Sequence, residues 1–193
     1  TQWFKDEGDA ILLLGDIADA GDPLLGLGGS AYLQRVHGIK NGTPPKCDLE
    51  KEKELHLALR ALIHSGVVKS AHDCSEGGLT VALAESCISQ QVARETPRLI
   101  GAQVDLTGAP NAAGLRLDAL LFGEAQSRIV ISVSAVNAAK VLAQAGILGV
   151  AAARIGTVGG DTLQIQAPGA KLSFGVRELH DLWWNSIARA MRS

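Results

Sequence analysis

Ser70-Ala71-His72-Asp73-Cys74-Ser75-Glu76-Gly77-Gly78-Leu79 is the stretch whose reading decides the fold. A β-prone run over 67–71 (VVKSA) feeds a short polar turn carrying two glycines. Leu79, Ala82, Leu83, Ser86 and Cys87 then recur at i, i+3, i+4, i+7 and i+8, the spacing of one helix face, with small residues suited to packing on a sheet. Strand, tight turn and helix in immediate succession mark an α/β unit. Two glycines at a helix start remove side chains where free backbone N–H groups point outward, a geometry that holds a phosphate or carboxylate without a charged side chain. Each glycine also lowers helix propensity by about 1 kcal/mol relative to alanine. A pair there therefore predicts close approach of a ligand or of neighbouring backbone.

Outward from this unit, elements alternate. Residues 9–16 (DAILLLGD) read as a buried strand, 31–37 as a short helix, and Asn41-Gly42-Thr43-Pro44-Pro45 as turn chemistry. Asp48 is a good N-cap, and Glu50 and Glu52 face the positive end of the helix it opens. Leu55, Ala58, Leu59, Leu62 and Ile63 form one apolar stripe on that helix, which Ser65-Gly66 closes. Residues 99–106 predict a strand, 115–122 a short helix, 129–133 a strand covered on both faces, and 135–145 a helix stopping at Gly146. Strands over 152–158 and 162–166 flank Gly159-Gly160-Asp161, a hairpin-like turn, and a last helix spans 176–191. One α/β (α+β) domain over 1–193, a mixed β-sheet flanked by helices, accounts for the whole pattern.

Composition narrows the function classes. A chain of 193 residues buries a real core, and its formal charge of -2 offers no basic footprint for nucleic acid. No window approaches the roughly eighteen uninterrupted apolar residues of a membrane span. Thr1-Gln2-Trp3-Phe4-Lys5-Asp6 has neither an initiator Met nor a signal-peptide pattern, so the chain reads as a piece of something longer. Cys47, Cys74 and Cys87 lack ligand spacing, which predicts reduced cytosolic thiols and no metal site. Cys74, just before a helix start, has two readings: a small residue tolerated in a turn, or a thiolate favoured by the helix dipole.

Three segments could carry chemistry. Gly26-Leu27-Gly28-Gly29-Ser30 is neither a Walker A loop nor a clean GxGxxG. It leaves Gly28, Gly29 and the N-cap Ser30 as an anion site at the next helix, or as a flexible connector. In the 73–78 turn, Asp73 and Ser75 are candidate helix caps, with Gly77 and Gly78 as the close-approach positions. His72 beside Asp73 suggests a dyad, but successive strand residues point to opposite faces. In Glu124-Ala125-Gln126-Ser127-Arg128, Glu124 could accept from a ribose hydroxyl and Gln126 could bond an amide or phosphate oxygen. The alternative is an exposed turn with a Glu–Arg surface pair.

Four motifs in order carry a resemblance: residues 22–33 (DPLLGLGGSAYL), Pro44-Pro45 ahead of an acidic-capped helix, residues 71–79 (AHDCSEGGL) and residues 121–128 (LFGEAQSR). Together they resemble the phosphoribosylformylglycinamidine synthase family, in the aminoimidazole ribonucleotide synthetase superfamily, and within it the C-terminal half of the second repeat. The resemblance implies an ATP-dependent C–N ligase of cytoplasmic purine biosynthesis. Such an enzyme uses ATP and magnesium to convert formylglycinamide ribonucleotide and glutamine-derived ammonia to the amidine. It implies as partners the N-terminal domains, a glutaminase subunit and a small accessory subunit, with no nucleic acid and no membrane. No catalytic residue carries over, and no ATP or magnesium is expected on this piece alone. The family's Glu-Ser-Gln triplet after Phe-Gly maps onto Glu124, Ala125 and Gln126, with Ala125 departing from serine. A scaffold half-domain, or the C-terminal half of a related phosphotransferase, is the other reading. Without its N-terminal half, the piece is expected to expose an apolar patch and self-associate.

Overall fold

Strand β1 (Ala10–Leu14) sits at the centre of the sheet, and every one of its residues is buried. The computed structural model describes residues 1–17, 21–89, 98–109 and 112–192. Around β1 run β2 (Val68–Asp73), β3 (Ala102–Asp105), β4 (Ile129–Val133), β5 (Ala152–Val158), β6 (Thr162–Ala167) and β7 (Ala170–Gly175). They form one sheet in the order β2-β4-β1-β5-β3-β6-β7. All neighbours pair antiparallel except β3 and β6, which run parallel, so the sheet is mixed.

The unbroken apolar runs of β1 and β4 follow from cover on both faces. Ile11 and Leu13 point into one layer, with Leu79, Leu83 and Cys87 of α3 (Gly78–Ile88) and Leu120 of α4 (Leu117–Phe122). Ala10, Leu12 and Leu14 point to the other, against Leu55, Ala58 and Leu62 of α2 (Leu49–His64) and Val141 and Ala145 of α5 (Ala138–Ile147). The period-2 alternation of the strand splits one apolar run between two cores. Asp48 caps α2 as expected, accepting from the N–H groups of Glu50 and Lys51 at 3.1 and 3.2 Å. Ile63, at the margin of the predicted stripe, is exposed.

Four local expectations are corrected. Strands β5 and β6 do not form a hairpin, because β3 lies between them. The Gly159–Gly160 turn clasps the start of β3 through two 2.8 Å backbone bonds with Gly101. A Cβ at Gly101 would meet the Thr162 carbonyl oxygen at 2.3 Å, so only glycine passes there. Strand β7 adds an edge strand that the sequence reading omitted. Helix α5 runs through Gly146, and the left-handed turn falls at Gly149 (φ +76°). The last helix breaks at Asn185 into α6 (Val176–Trp184) and α7 (Ser186–Ala190), where the Ser186 hydroxyl donates to the Trp183 carbonyl. A further helix, α1 (Ala31–His37), follows the glycine-rich loop.

Candidate functional site

Three loops meet at one end of the sheet. In the first, the Asp22 carboxylate accepts from the N–H groups of Leu24 (3.1 Å) and Gly26 (2.7 Å), winding residues 22–26 into a tight coil. Leu25 takes a left-handed φ of +48°, unusual for a side chain of its size. This coil bonds the 123–128 segment directly: the Ala125 N–H donates to the Leu25 carbonyl at 2.8 Å. Ser30 caps α1, its hydroxyl accepting from the Leu33 N–H at 3.3 Å.

The second loop is the Asp73–Gly78 turn. Asp73 and Ser75 do not cap α3; the Ser75 hydroxyl bonds Asp73 instead, holding that carboxyl below its usual range. Gly77 and Gly78 both take left-handed φ, +79° and +65°. A Cβ on Gly78 would lie 2.5 Å from the Gly123 carbonyl oxygen, so this glycine serves close backbone approach.

Glu124 in the third loop ties the other two together. Its Oε1 accepts the N–H of Gly77 and the N–H of Ala31, each at 2.8 Å. One internal carboxylate thus sits at the starts of both α1 and α3, where the positive helix ends favour an anion. The cradle formed by the glycine loops is filled by a side chain of the same molecule. That occupant is the residue the sequence offered to a ribose hydroxyl. A glycine-rich loop shows that an anion fits, not whether it comes from solvent or from the chain.

Arg128 departs furthest from expectation. It is 3% exposed and makes no surface pair with Glu124; it donates to the carbonyls of Gly123 and Ala125. Its Nη1 is buried with no hydrogen-bond partner. Burial pulls the guanidinium below its ordinary range, with Cys74 and Asp22 opposing that pull. Cys74 is buried, and its thiol is pushed up to about 11 by desolvation, which removes the nucleophile reading. His72 Nε2 lies 2.7 Å from Glu85 Oε2 on α3 and only 3.5 Å from Asp73 through Nδ1, so its main partner is Glu85. That bond raises the imidazole above its ordinary value.

Several cavities touch the 124–128 segment, and two of them hold predicted residues. One, of about 340 Å³, gathers Asp73, Ser75, Glu124 and Gln126 from the predicted set. The other, of about 580 Å³, takes in Gln126 and the start of α2. Gly28, Gly29 and Ser30 line neither; the next residue, Ala31, reaches the cluster through its bond to Glu124. A cavity of about 700 Å³ lies apart, on the face of β5, β3, β6 and β7 that bears Gln103, Arg154 and Gln166, and contains none of the predicted residues. Among the described residues no three His, Cys, Asp or Glu side chains come together to hold a metal ion, and no helix is long and apolar enough to cross a membrane.

Residues 6–166 match the family described as AIR synthase related protein, C-terminal domain. The chain belongs to that family. It is 41% identical over 191 residues to the phosphoribosylformylglycinamidine synthase subunit PurL of Anaeromyxobacter sp. (strain K), covering 98% of this chain and 23% of that subunit. The chain therefore spans about a quarter of the length of this relative. Its fold is shared with the structure of T. maritima PurL complexed with FGAR, at a TM-score of 0.73 and 20% identity, covering 92% of this chain and 29% of that one. The structure of PurLQS from Thermotoga maritima aligns at a TM-score of 0.66 and 17% identity, over 92% of this chain and 27% of that one.

Proposed function

We propose that this chain serves as the C-terminal half of the second repeat of a formylglycinamidine ribonucleotide synthetase, the ATP-dependent ligase of purine biosynthesis. The observation that carries this reading is similarity to PurL along almost the whole chain at 41% identity. The complete enzyme would use ATP and magnesium to activate the formyl amide oxygen of its ribonucleotide substrate and would take ammonia from a glutaminase partner in a cytoplasmic complex.

Within that enzyme this domain is a structural half that touches ligand at its rim. Glu124 Oε1 is spent on Gly77 and Ala31, so the glycine loops Gly28–Gly29–Ser30 and Gly77–Gly78 hold the fold rather than a nucleotide phosphate. Among the described residues no three His, Cys, Asp or Glu side chains gather, so they do not fit a magnesium site. Of the triplet positions, Gln126 is exposed, and it remains the contact offered to a ligand held between this domain and its neighbours.

Isothermal titration of the intact synthetase with its ribonucleotide, ATP and ADP tests this. Gln126→Ala is expected to weaken one of these ligands by about tenfold while the fold persists. Unchanged binding of all three assigns the domain to scaffold alone. Turnover is expected only from the full enzyme; amidine formation scaling with the concentration of the isolated 193-residue chain would refute the assignment of chemistry to other domains.

A further inference from the structure

We propose that the cavity of about 700 Å³ on the open face of β5, β3, β6 and β7 docks an extended acidic segment of a partner protein, laid across the strands. It shares no residue with the Glu124 cluster and does not rest on the synthetase assignment.

Strand alternation builds this face. Ala102 and Val104 of β3, and Leu163 and Ile165 of β6, are buried in the same layer as the inner residues of α3 and α6. With period 2, Gln103, Asp105, Gln164 and Gln166 point to the opposite face. Helices α2 and α5 pack on that opposite face over β1 and β4, but among the described residues no helical one lines the cavity. Pairing sets the polar groups in rows. Thr157, Gln103, Gln164 and Ser173 stand in register across the four strands, and Asp105, Gln166 and Lys171 form the next row.

Charge and hydrogen-bonding capacity select the occupant. Two cations, Arg154 and Lys171, line the cavity against one carboxylate, Asp105. That carboxylate is already bonded, accepting from the Thr107 N–H at 2.8 Å and from the Thr107 hydroxyl at 2.6 Å. Among the described residues Lys171 has no partner, and Arg154 bonds only the Thr157 hydroxyl, at 3.0 Å. Arg154 on β5 and Lys171 on β7 lie three strand spacings apart, roughly 14 Å. In an extended peptide, side chains at i and i+4 share a face about 13 Å apart, so two carboxylates at that spacing meet both cations. Between the cations, the side-chain amides of Gln103 and Gln166 bond nothing among the described residues. Each offers donors and an acceptor to the C=O and N–H groups of a peptide backbone. No aromatic ring lines the cavity, and two cations are few for a phosphodiester chain, so single-stranded nucleic acid fits it poorly.

Fluorescence anisotropy of short labelled peptides titrated with the intact protein tests the assignment. The first probe carries glutamates at i and i+4 among serines and threonines. A second has the same composition with its glutamates adjacent, a third has glutamines in their place, and a uridine oligonucleotide represents nucleic acid. At constant ionic strength the first probe is expected to bind with a Kd of about 0.1 mM, and the others at least about tenfold more weakly. Lys171→Ala and Arg154→Ala should each weaken the first probe about fivefold, and Gln103→Ala about threefold. All three side chains are exposed, so the unfolding midpoint in urea should stay where it is in each variant. Absence of saturable binding overturns the proposal, as does an affinity that neither Lys171→Ala nor Arg154→Ala alters. Equal binding of the adjacent-glutamate peptide, or tighter binding of the oligonucleotide, overturns it too.

Discussion

Glu124 has one oxygen serving two backbone donors from loops far apart in sequence, and its removal should be felt as stability. Leaving a buried N–H unsatisfied costs about 1–3 kcal/mol. Glu124→Ala is expected to lower the unfolding free energy by about 2 kcal/mol in urea titrations, and Glu124→Gln, which keeps an acceptor, by clearly less. Equal stability of wild type and both variants would dismiss the clamp. His72 gives a second handle at the same scale. Its bond to Glu85 raises the folded-state pKa above the ordinary 6.5. A raised folded pKa means that the native state holds the proton more tightly, so the contribution is complete below about pH 6.5 and is lost as pH rises through the folded value. Stability measured from about pH 6 to pH 9 should therefore decline more steeply in wild type than in Glu85→Gln. Identical slopes would show that the pair does not couple to folding.

The element scale shows which sequence signals were sufficient. Strands β1 and β4 were legible because burial on both faces leaves continuous apolar runs, and α2 because Asp48, the stripe and Ser65-Gly66 agree. The supposed hairpin was misread because Gly159-Gly160-Asp161 encodes a reversal but says nothing of β3, whose entry depends on a contact with Gly101 some sixty residues earlier. Strand β7 was missed although Ala170, Leu172 and Phe174 alternate with Lys171 and Ser173, because the run is short and none of its residues is fully buried. At the site, glycines predicted close approach correctly at Gly78, but no local pattern reveals that the anion at the helix starts is Glu124. Nor does a lone arginine before an apolar strand announce its burial. The glycines also make a graded prediction. Gly66 and Gly78 both take left-handed φ, but a Cβ at Gly66 meets nothing within 4 Å, whereas one at Gly78 meets backbone at 2.5 Å. Gly66→Ala should cost about 1–2 kcal/mol from conformation alone. Gly78→Ala should cost distinctly more and loosen the α3–α4 contact. Equal costs in denaturant titrations would show that backbone crowding at this turn is relieved without penalty.

Across the whole molecule, apolar surface is unevenly finished. Helix α6 buries Val176 and packs Leu179 and Trp183 against the core beneath β6 and β7. Beyond them the same end of the chain turns apolar residues outward: Trp184 is 59% exposed, Ile187 74% and Met191 83%. These three follow one another at i, i+3 and i+7, close enough to helical spacing to form one stripe across the Asn185 break. Asp181 braces that break through Asn185 at 2.7 Å and through Arg189, so the stripe is held in place rather than frayed. A fixed apolar stripe on a chain spanning a quarter of its relative's length should drive the isolated polypeptide to associate. Three side chains cover far less than the roughly 1,200 Å² of a stable interface, so the association should be weak, with a Kd of about 0.1–1 mM. Sedimentation of the isolated chain should show a mass that rises with concentration, accompanied by a blue shift in tryptophan emission as Trp184 leaves water. Ile187→Lys should abolish both effects without lowering stability, since the side chain it replaces already lies in solvent. A mass independent of concentration up to the millimolar range would mean that the stripe is tolerated as ordinary surface, and association that survives Ile187→Lys would place the contact on another face.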